Sequence, residues 1–296
     1  MDVSIIIVNY CTAGLVAEAV ESVVRLTQGV SYEVLIVDNA SPDGSGAELQ
    51  TRYASDEAVK VILSEKNLGF GGANNLGFSQ SQGRNVFLLN PDTVLLNDAV
   101  PILSLYLDDN EEAGVCGGNL YTAEGQPASS FKRLFPSVSA ELSSLMCHIP
   151  ERVCYGRNVT FNHSLRDLDV AFIVGADLMI RRTIAEQLGL FDTAFFMYYE
   201  ETDLCRRVKD LGYAVRSVPA ARICHLEGKS ISNLDRKAEI NFRSRSIYMN
   251  KHHGPAYVGL CNLIFRISVN LRLLVLTLSG GNKTYWRTMK KMFAKR

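Results

Sequence analysis

Four short, almost wholly apolar runs, Val3–Asn9, 33–38, Val59–Leu63 and 85–90, set the strongest limit on what this chain can fold into. Each is rich in β-branched residues, bounded by polar turns and too short for a globular helix. Each therefore reads as a strand buried on both faces. Helical spacing fills the gaps: Leu15, Ala19, Val23 and Leu26 share one face, and a second helical segment lies near 45–53. Strands alternating with helices predict an α/β domain, a doubly wound, mainly parallel sheet flanked by helices. A chain of 296 residues with 47% hydrophobic content can give such a sheet a full core.

In open parallel sheets ligands gather beyond the carboxyl ends of the strands. The run 85–90 ends there in Asn90-Pro91-Asp92, which leaves two readings of Asp92. It is a plain turn residue, or a carboxylate aimed into the ligand crevice. Between the third and fourth strands, the glycines of Asn67-Leu68-Gly69-Phe70-Gly71-Gly72-Ala73-Asn74 let backbone approach a phosphate or nucleoside before a helix begins. Asn74 stands where a dinucleotide fingerprint needs its third glycine. The first strand-to-helix turn, from Asn9 to Gly14, has no phosphate loop and no Arg or Lys. Dehydrogenases, P-loop enzymes and nucleotidyltransferases are disfavoured accordingly.

Downstream, the pattern predicts a helix over 98–108, a strand over 114–118 and a loop-rich insertion over 121–168. Two apolar runs follow, around Gly175-Ala176-Asp177, and then a short helix over 183–188 that stops at Gly189. Five large residues from Phe195 to Tyr199 next deliver Glu200, Glu201 and Asp203 to the start of a helix that Gly212 ends. Acids in a first turn complement the helix dipole, and pairing with Arg206 or Arg207 accounts for Asp203. The aromatic setting of Glu200 and Glu201 predicts a raised pKa, as a general base needs.

Residues 229–296 hold 14 of the 31 Lys and Arg but 2 of the 31 Asp and Glu, so the net charge of zero divides into an acidic body and a basic tail. The segment 257–278 is apolar enough to resemble a membrane span, yet Arg266 and Arg272 near its middle argue against spanning. It reads either as a helix in the plane of a membrane interface or as a core helix packed on the domain. The seven cysteines form no C-x-x-C pair and read as reduced thiols. No basic n-region precedes the first apolar run, so a cytoplasmic location is expected.

Taken in order, the chain resembles the inverting glycosyltransferases of family 2, and within them the bacterial rhamnosyltransferase-like branch of surface-polysaccharide and O-antigen synthesis. The resemblance rests on Ile7-Val8-Asn9-Tyr10, Ile36-Val37-Asp38-Asn39-Ala40-Ser41, Asn67-Leu68-Gly69-Phe70 and Leu89-Asn90-Pro91-Asp92. It continues in Gly175-Ala176, Tyr199-Glu200-Glu201-Thr202-Asp203-Leu204, and His225 with Gly228-Lys229-Ser230, and covers residues 3–250.

The resemblance implies a GT-A fold, a nucleotide-diphosphate sugar donor, and a divalent metal, Mg²⁺ or Mn²⁺. Carried onto this sequence, Val8, Asn9, Tyr10, Asp38, Asn67 and Asn74 would hold the nucleoside, with Asn90 and Asp92 facing the diphosphate. Asp92 and His225 would hold the metal, and Gly175, Ala176 and Asp177 would lie on the acceptor side. Glu201 would be the base, with Glu200 its substitute. Asn90 replaces the first acid of the family's Asp-x-Asp motif, leaving fewer charged ligands. Glu201 replaces the usual Asp, and its extra methylene moves the carboxylate by about 1.5 Å.

The donor implied is dTDP-rhamnose and the acceptor a lipid-linked saccharide, with no nucleic-acid partner. The enzyme would be peripheral at the inner face of the cell membrane, touching anionic lipid. Residues 1–250 would form the catalytic domain, its donor half 1–118 and its acceptor half 165–230, and 251–296 a basic amphipathic helical segment. The rivals are a two-carboxylate glycosidase, which would leave a nucleotide pocket unexplained, a nucleotidyltransferase, and a degenerate GT-A domain that binds carbohydrate or serves as a scaffold.

Overall fold

The computed structural model describes residues 1–226 and 233–294. The motif residues Gly228, Lys229 and Ser230 and the terminal Lys295 and Arg296 lie outside the described residues.

The first half is built as the apolar runs predict. In order come β1 (Val3–Asn9), α1 (Ala13–Leu26), β2 (Tyr32–Asp38), α2 (Ser45–Arg52), β3 (Val59–Leu63), α3 (Gly69–Ser79), β4 (Asn85–Leu89), β5 (Thr93–Leu95), α4 (Ala99–Asp109) and β6 (Ala113–Tyr121). Every residue of β1 is buried, because alternate side chains feed opposite cores. Val3, Ile5 and Ile7 pack with α1, α2 and α4. Ile6 and Val8 pack on the other face, with Ala73 of α3.

The chain continues through β7 (Phe131–Lys132), α5 (Val138–Leu145), α6 (Ile149–Tyr155), β8 (Leu168–Asp169), β9 (Phe172–Ile173), β10 (Asp177–Arg181), α7 (Arg182–Leu188), α8 (Glu200–Asp210) and β11 (Ala214–His225). The large sheet runs β3-β2-β1-β4-β10-β6-β11-β5, with β8 paired to β11. Strands β3, β2, β1 and β4 are parallel. Strand β10 is antiparallel to both β4 and β6, and β11 returns parallel to β6. The order reverses between β1 and β4, the position where doubly wound sheets open a crevice.

The insertion 121–168 holds two helices where a loop was expected. Eight and seven residues are too few to display a helical period. Helix α5 is fixed by its cap, Ser137 Oγ accepting from Ala140 N, and by what it packs against.

That neighbour is a layer of three helices, α9 (Leu234–His252), α10 (Pro255–Leu278) and α11 (Thr284–Ala294). Phe195, Tyr248, Met249, Val258 and Cys261 form one small core under it, and Ala238, Phe242, Val269 and Met289 another. The buried Arg245 of α9 donates to Glu141 of α5 and to Asn262 of α10. Helix α9 thus begins the helical layer, upstream of residue 251. All seven cysteines are free thiols.

Candidate active site

The crevice at the strand ends is a cavity of about 450 Å³. Its floor comes from the loop after β1, where Cys11 takes φ of 58° and donates its backbone N–H to Ser41 Oγ. Val8, Tyr10 and Thr12 line the cavity. Asn9 and Asp38 lie beneath that lining. Asn9 Nδ2 donates to Asp38 Oδ1 at 2.7 Å and to Ser45 Oγ at 2.9 Å, while Asn9 Oδ1 accepts from Thr12 N. Buried and mutually satisfied, they tie β1 to the loop after β2.

The neighbouring Asn39, which motif reading passed over, lines the cavity itself. Its Oδ1 accepts from Leu68 N at 2.8 Å and its Nδ2 donates to Asn67 Oδ1, so it clamps the loop before α3. Its signal lay in the quoted Asp38-Asn39 pair. Asn67 lines the cavity as expected. Asn74 does not. One turn into α3, it is buried and donates back to Phe70 O at 3.0 Å, so the helix interior consumes its amide.

Gly69 opens α3 at φ 74°, and a Cβ there would sit 2.3 Å from Phe196 O. The same carbonyl accepts from Phe70 N at 2.8 Å, fastening the loop to the segment that leads into α8. Gly69→Ala is therefore expected to cost about 1–3 kcal/mol in backbone strain alone, with the contact added. A lowered melting temperature and weakened nucleotide binding by calorimetry check this; a variant as stable as wild type would contradict it.

Across the cavity stand the acids. Asp92 follows β4 and is 3% exposed. The pairing of Thr93 with His225 in β5 and β11 brings His225 beside it, and Leu226 N donates to Asp92 O. His225 Nε2 lies 3.3 Å from Asp92 Oδ1, near enough for attraction but without hydrogen-bond alignment. Asn90 and Pro91 line the cavity, Asn90 N donating to Ala176 O.

Glu200 and Glu201 open α8 behind Tyr198 and Tyr199, both held at positive φ, 67° and 71°. Two successive non-glycine residues in that region are strained, the sort of cost that functional sites retain. Both carboxylates line the cavity. Burial, with the adjacent Glu201 charge second, pushes the Glu200 carboxyl well above the usual range. Burial raises Glu201 too, against a lowering by hydrogen bonds that include Thr202 Oγ1.

Gly175 and Ala176 form the facing wall, and a Cβ on Gly175 would lie 3.5 Å from Glu201 Cβ. Asp177 corrects the expectation that it sits with them. As the first residue of β10 it turns into the sheet, where Oδ2 accepts from Gly118 N at 2.6 Å. Burial pushes its carboxyl far above the usual carboxylate range, against a lowering by the Gly118 N–H.

Asp203 has the structural role expected of it, and more. Arg207 Nε lies 2.7 Å from its carboxylate, and Lys251 and His252 of α9 reach it at 2.9 and 2.8 Å. Burial opposes its charge, but the His252 and Lys251 hydrogen bonds and the Arg207 guanidinium hold it at about 2.

Sequence reasoning also missed Phe70, Phe196, Met197, Tyr198, and Asn233, Arg236 and Ile240 at the cap and in the first turns of α9. The last three recur at three- and four-residue spacing, one helix face, and Arg236 brings a cation to the cavity. Among the described residues, four buried polar atoms in and beside the cavity lack hydrogen-bond partners: Asn90 Oδ1, Asp92 Oδ1, Glu200 Oε2 and His225 Nδ1. Buried polar atoms are normally satisfied, so this cluster is where a polar ligand would find partners. Among the described residues no three His, Cys, Asp or Glu side chains gather as a metal cage. Asp92 and His225 supply two donors, which suits a hard cation that takes its remaining ligands from phosphate and water.

A family model described as Glycosyl transferase family 2 matches residues 4–189. The low-salt glycan biosynthesis hexosyltransferase of Haloferax volcanii is 29% identical over 217 residues, 70% of this chain and 62% of that protein. The chain therefore spans less than two thirds of that relative. The N-acetylglucosaminyl-diphospho-decaprenol L-rhamnosyltransferase of Mycobacterium tuberculosis is 26% identical over 245 residues, 77% of this chain and 74% of the other. Among solved structures, a mannosyltransferase from Pyrobaculum calidifontis in complex with GDP-Man and Mn²⁺ matches with a TM-score of 0.60 at 16% identity, over 99% of this chain and 84% of that one. This likeness bears out the GT-A fold.

Proposed function

Because the chain belongs to glycosyltransferase family 2, we propose that it moves a sugar from a nucleotide diphosphate to an acceptor hydroxyl with inversion at the anomeric carbon. The observation that carries this reading is the cluster of polar atoms on Asn90, Asp92, Glu200 and His225 that lack partners among the described residues, at and beside one cavity that Val8, Tyr10, Asn39 and Asn67 also line.

In the proposed reaction Val8, Tyr10, Asn39 and Asn67 hold the nucleoside, and Asn90, Asp92 and His225 face the diphosphate. Asn9 and Asp38 support that recess from below. The acceptor enters beside Gly175 and Ala176. Its hydroxyl oxygen attacks the anomeric carbon from the side opposite the diphosphate, and the bond from that carbon to the diphosphate oxygen breaks. Glu201 takes the hydroxyl proton. A single displacement with no covalent intermediate inverts the centre. Asp92 and His225 would hold a divalent cation, which when bound offsets charge on the departing diphosphate.

For the donor we favour dTDP-rhamnose, and for the acceptor a lipid-linked saccharide at the inner face of a cell membrane. The likeness to the mycobacterial protein, whose name records a rhamnosyltransferase and a diphospho-decaprenol acceptor, supports both. Calorimetry with dTDP-rhamnose and UDP-sugars, with and without Mn²⁺, tests the donor. Tighter binding of dTDP-rhamnose is expected, and tighter binding of a UDP-sugar would overturn the choice.

A further inference from the structure

Helix α10 is, among the described residues, the one helix long and apolar enough by length and composition to cross a membrane, yet only 28% of its most apolar stretch is buried. The inward side, with Val258, Cys261, Ile264, Ser268 and Val269 buried, has clear partners along its edges. Tyr257 Oη accepts from Val138 N of α5, and Arg272 donates to Ser144 of α5 while its guanidinium lies over the Trp286 ring of α11. The opposite side presents Leu260, Leu263, Ile267, Leu271, Leu274 and Leu278 to solvent, at helical spacing and rising to 81% exposure at Leu278.

The apolar surface does not stop at α10. Helix α5, packed on α10, and α6, packed on α5, expose Leu142, Ile149 and Val153, the last at 80%, with Met146 between them. Monomeric soluble proteins seldom leave an apolar stripe as long as the one on α10 uncovered. Cations are exposed on α10 and on α11, which packs against it: Arg266 on α10 and Arg287, Lys290 and Lys291 on α11. Residues 240–296 contain no Asp or Glu.

We infer that the outward face of α10 together with α5–α6 is a docking surface for an anionic lipid bilayer, the protein lying on the membrane with one side of α10 in it. Protein covers the other side of α10, whereas a spanning helix would need lipid around it or a bundle in the membrane. A second copy of the chain is the other candidate to cover the stripe, but stripe-to-stripe contact would bring the two cationic flanks together. Anionic headgroups pair with them instead. The inference deepens the reading of a lipid-linked acceptor and rests on it for purpose, but the docking requires no sugar.

The test is co-sedimentation of the full chain, without donor, with phosphatidylcholine vesicles and with vesicles that also carry phosphatidylglycerol. Binding to the anionic vesicles that falls with added salt is expected. The double variant Ile267→Glu with Leu274→Glu should lose more than about tenfold in affinity, and Lys290→Gln with Lys291→Gln about thirtyfold. Ile149→Glu with Val153→Glu should weaken binding severalfold; binding equal to wild type there would remove α6 from the surface. An unchanged thermal transition and donor affinity establish that each variant is folded, since none of these residues lines the cavity.

A wild-type protein that ignores anionic vesicles at low salt overturns the inference. So does a dimer that the α10 variant dissociates, or vesicle-bound protein that alkaline carbonate fails to release, which would mean spanning. Failure of the donor assignment would appear separately, in calorimetry without vesicles.

Discussion

Replacing Asp92 with Asn is expected to abolish sugar transfer and the metal-dependent part of donor binding while leaving the chain folded. The substitution keeps the shape of a 3% exposed side chain, and its neighbours are placed by backbone: Thr93 pairs with His225, and Leu226 N donates to Asp92 O. What it removes is the negative charge beside His225. A neutral amide is a poor ligand for a hard cation, and Asn90 supplies no second carboxylate to compensate. The measurement is donor affinity with and without Mn²⁺, together with turnover and the melting temperature. Turnover equal to wild type in a folded variant would remove Asp92 from the reaction.

Glu201→Gln should behave differently. Donor affinity survives, because the residue faces the acceptor wall near Gly175, while turnover falls by about 10²–10⁴, the usual worth of a general base. A larger loss from Glu200→Gln would exchange the two roles. The pH profile offers a second readout. Burial raises both carboxyls, Glu200 the more strongly, and two adjacent acids titrate as a pair. The base works deprotonated, so wild-type turnover should fall as pH drops through a value above the ordinary carboxylate range, and Glu201→Gln should lose that limb. The same shifts act on stability with the opposite sense. A carboxyl whose folded pKa exceeds its unfolded value binds its proton more tightly when folded, so its contribution is present at low pH and is lost as pH rises through the folded pKa.

The sheet was legible because burial on both faces leaves a run such as Val3–Asn9 no other fold to serve. The end of β4 was legible too, and the structure buries Asp92 there beside His225, behind the lining residues Asn90 and Pro91. The acids of α8 were announced by five bulky residues in front of them. Asp177 was misjudged because neighbours along a strand point to opposite faces, and only the pairing of β10 with β4 decides which face receives the carboxylate. Asn74 was misjudged because a helical asparagine can satisfy itself on the carbonyl one turn back. The helices of 121–168 and the face of Asn233, Arg236 and Ile240 were unreadable for a further reason. Their partners lie far along the chain, as Ser144 and Arg272 illustrate, and one-dimensional periodicity carries no record of such contacts.

Helix α9 has a bearing on how this chain could exchange parts with its relatives. Its first turns wall the cavity, its last turn grips Asp203, and its outer side carries Phe242 against α10 and α11. A recombination junction just after residue 118 would keep Gly175, Ala176, α5 and the helical layer from one parent, with their mutual contacts. No junction downstream of β11 does the same: replacing the terminal helices from α9 onward also replaces part of the cavity wall and the anchor of Asp203. On the proposed roles, the apolar stripe of α10 and the part of the cavity wall that α9 builds would be inherited together.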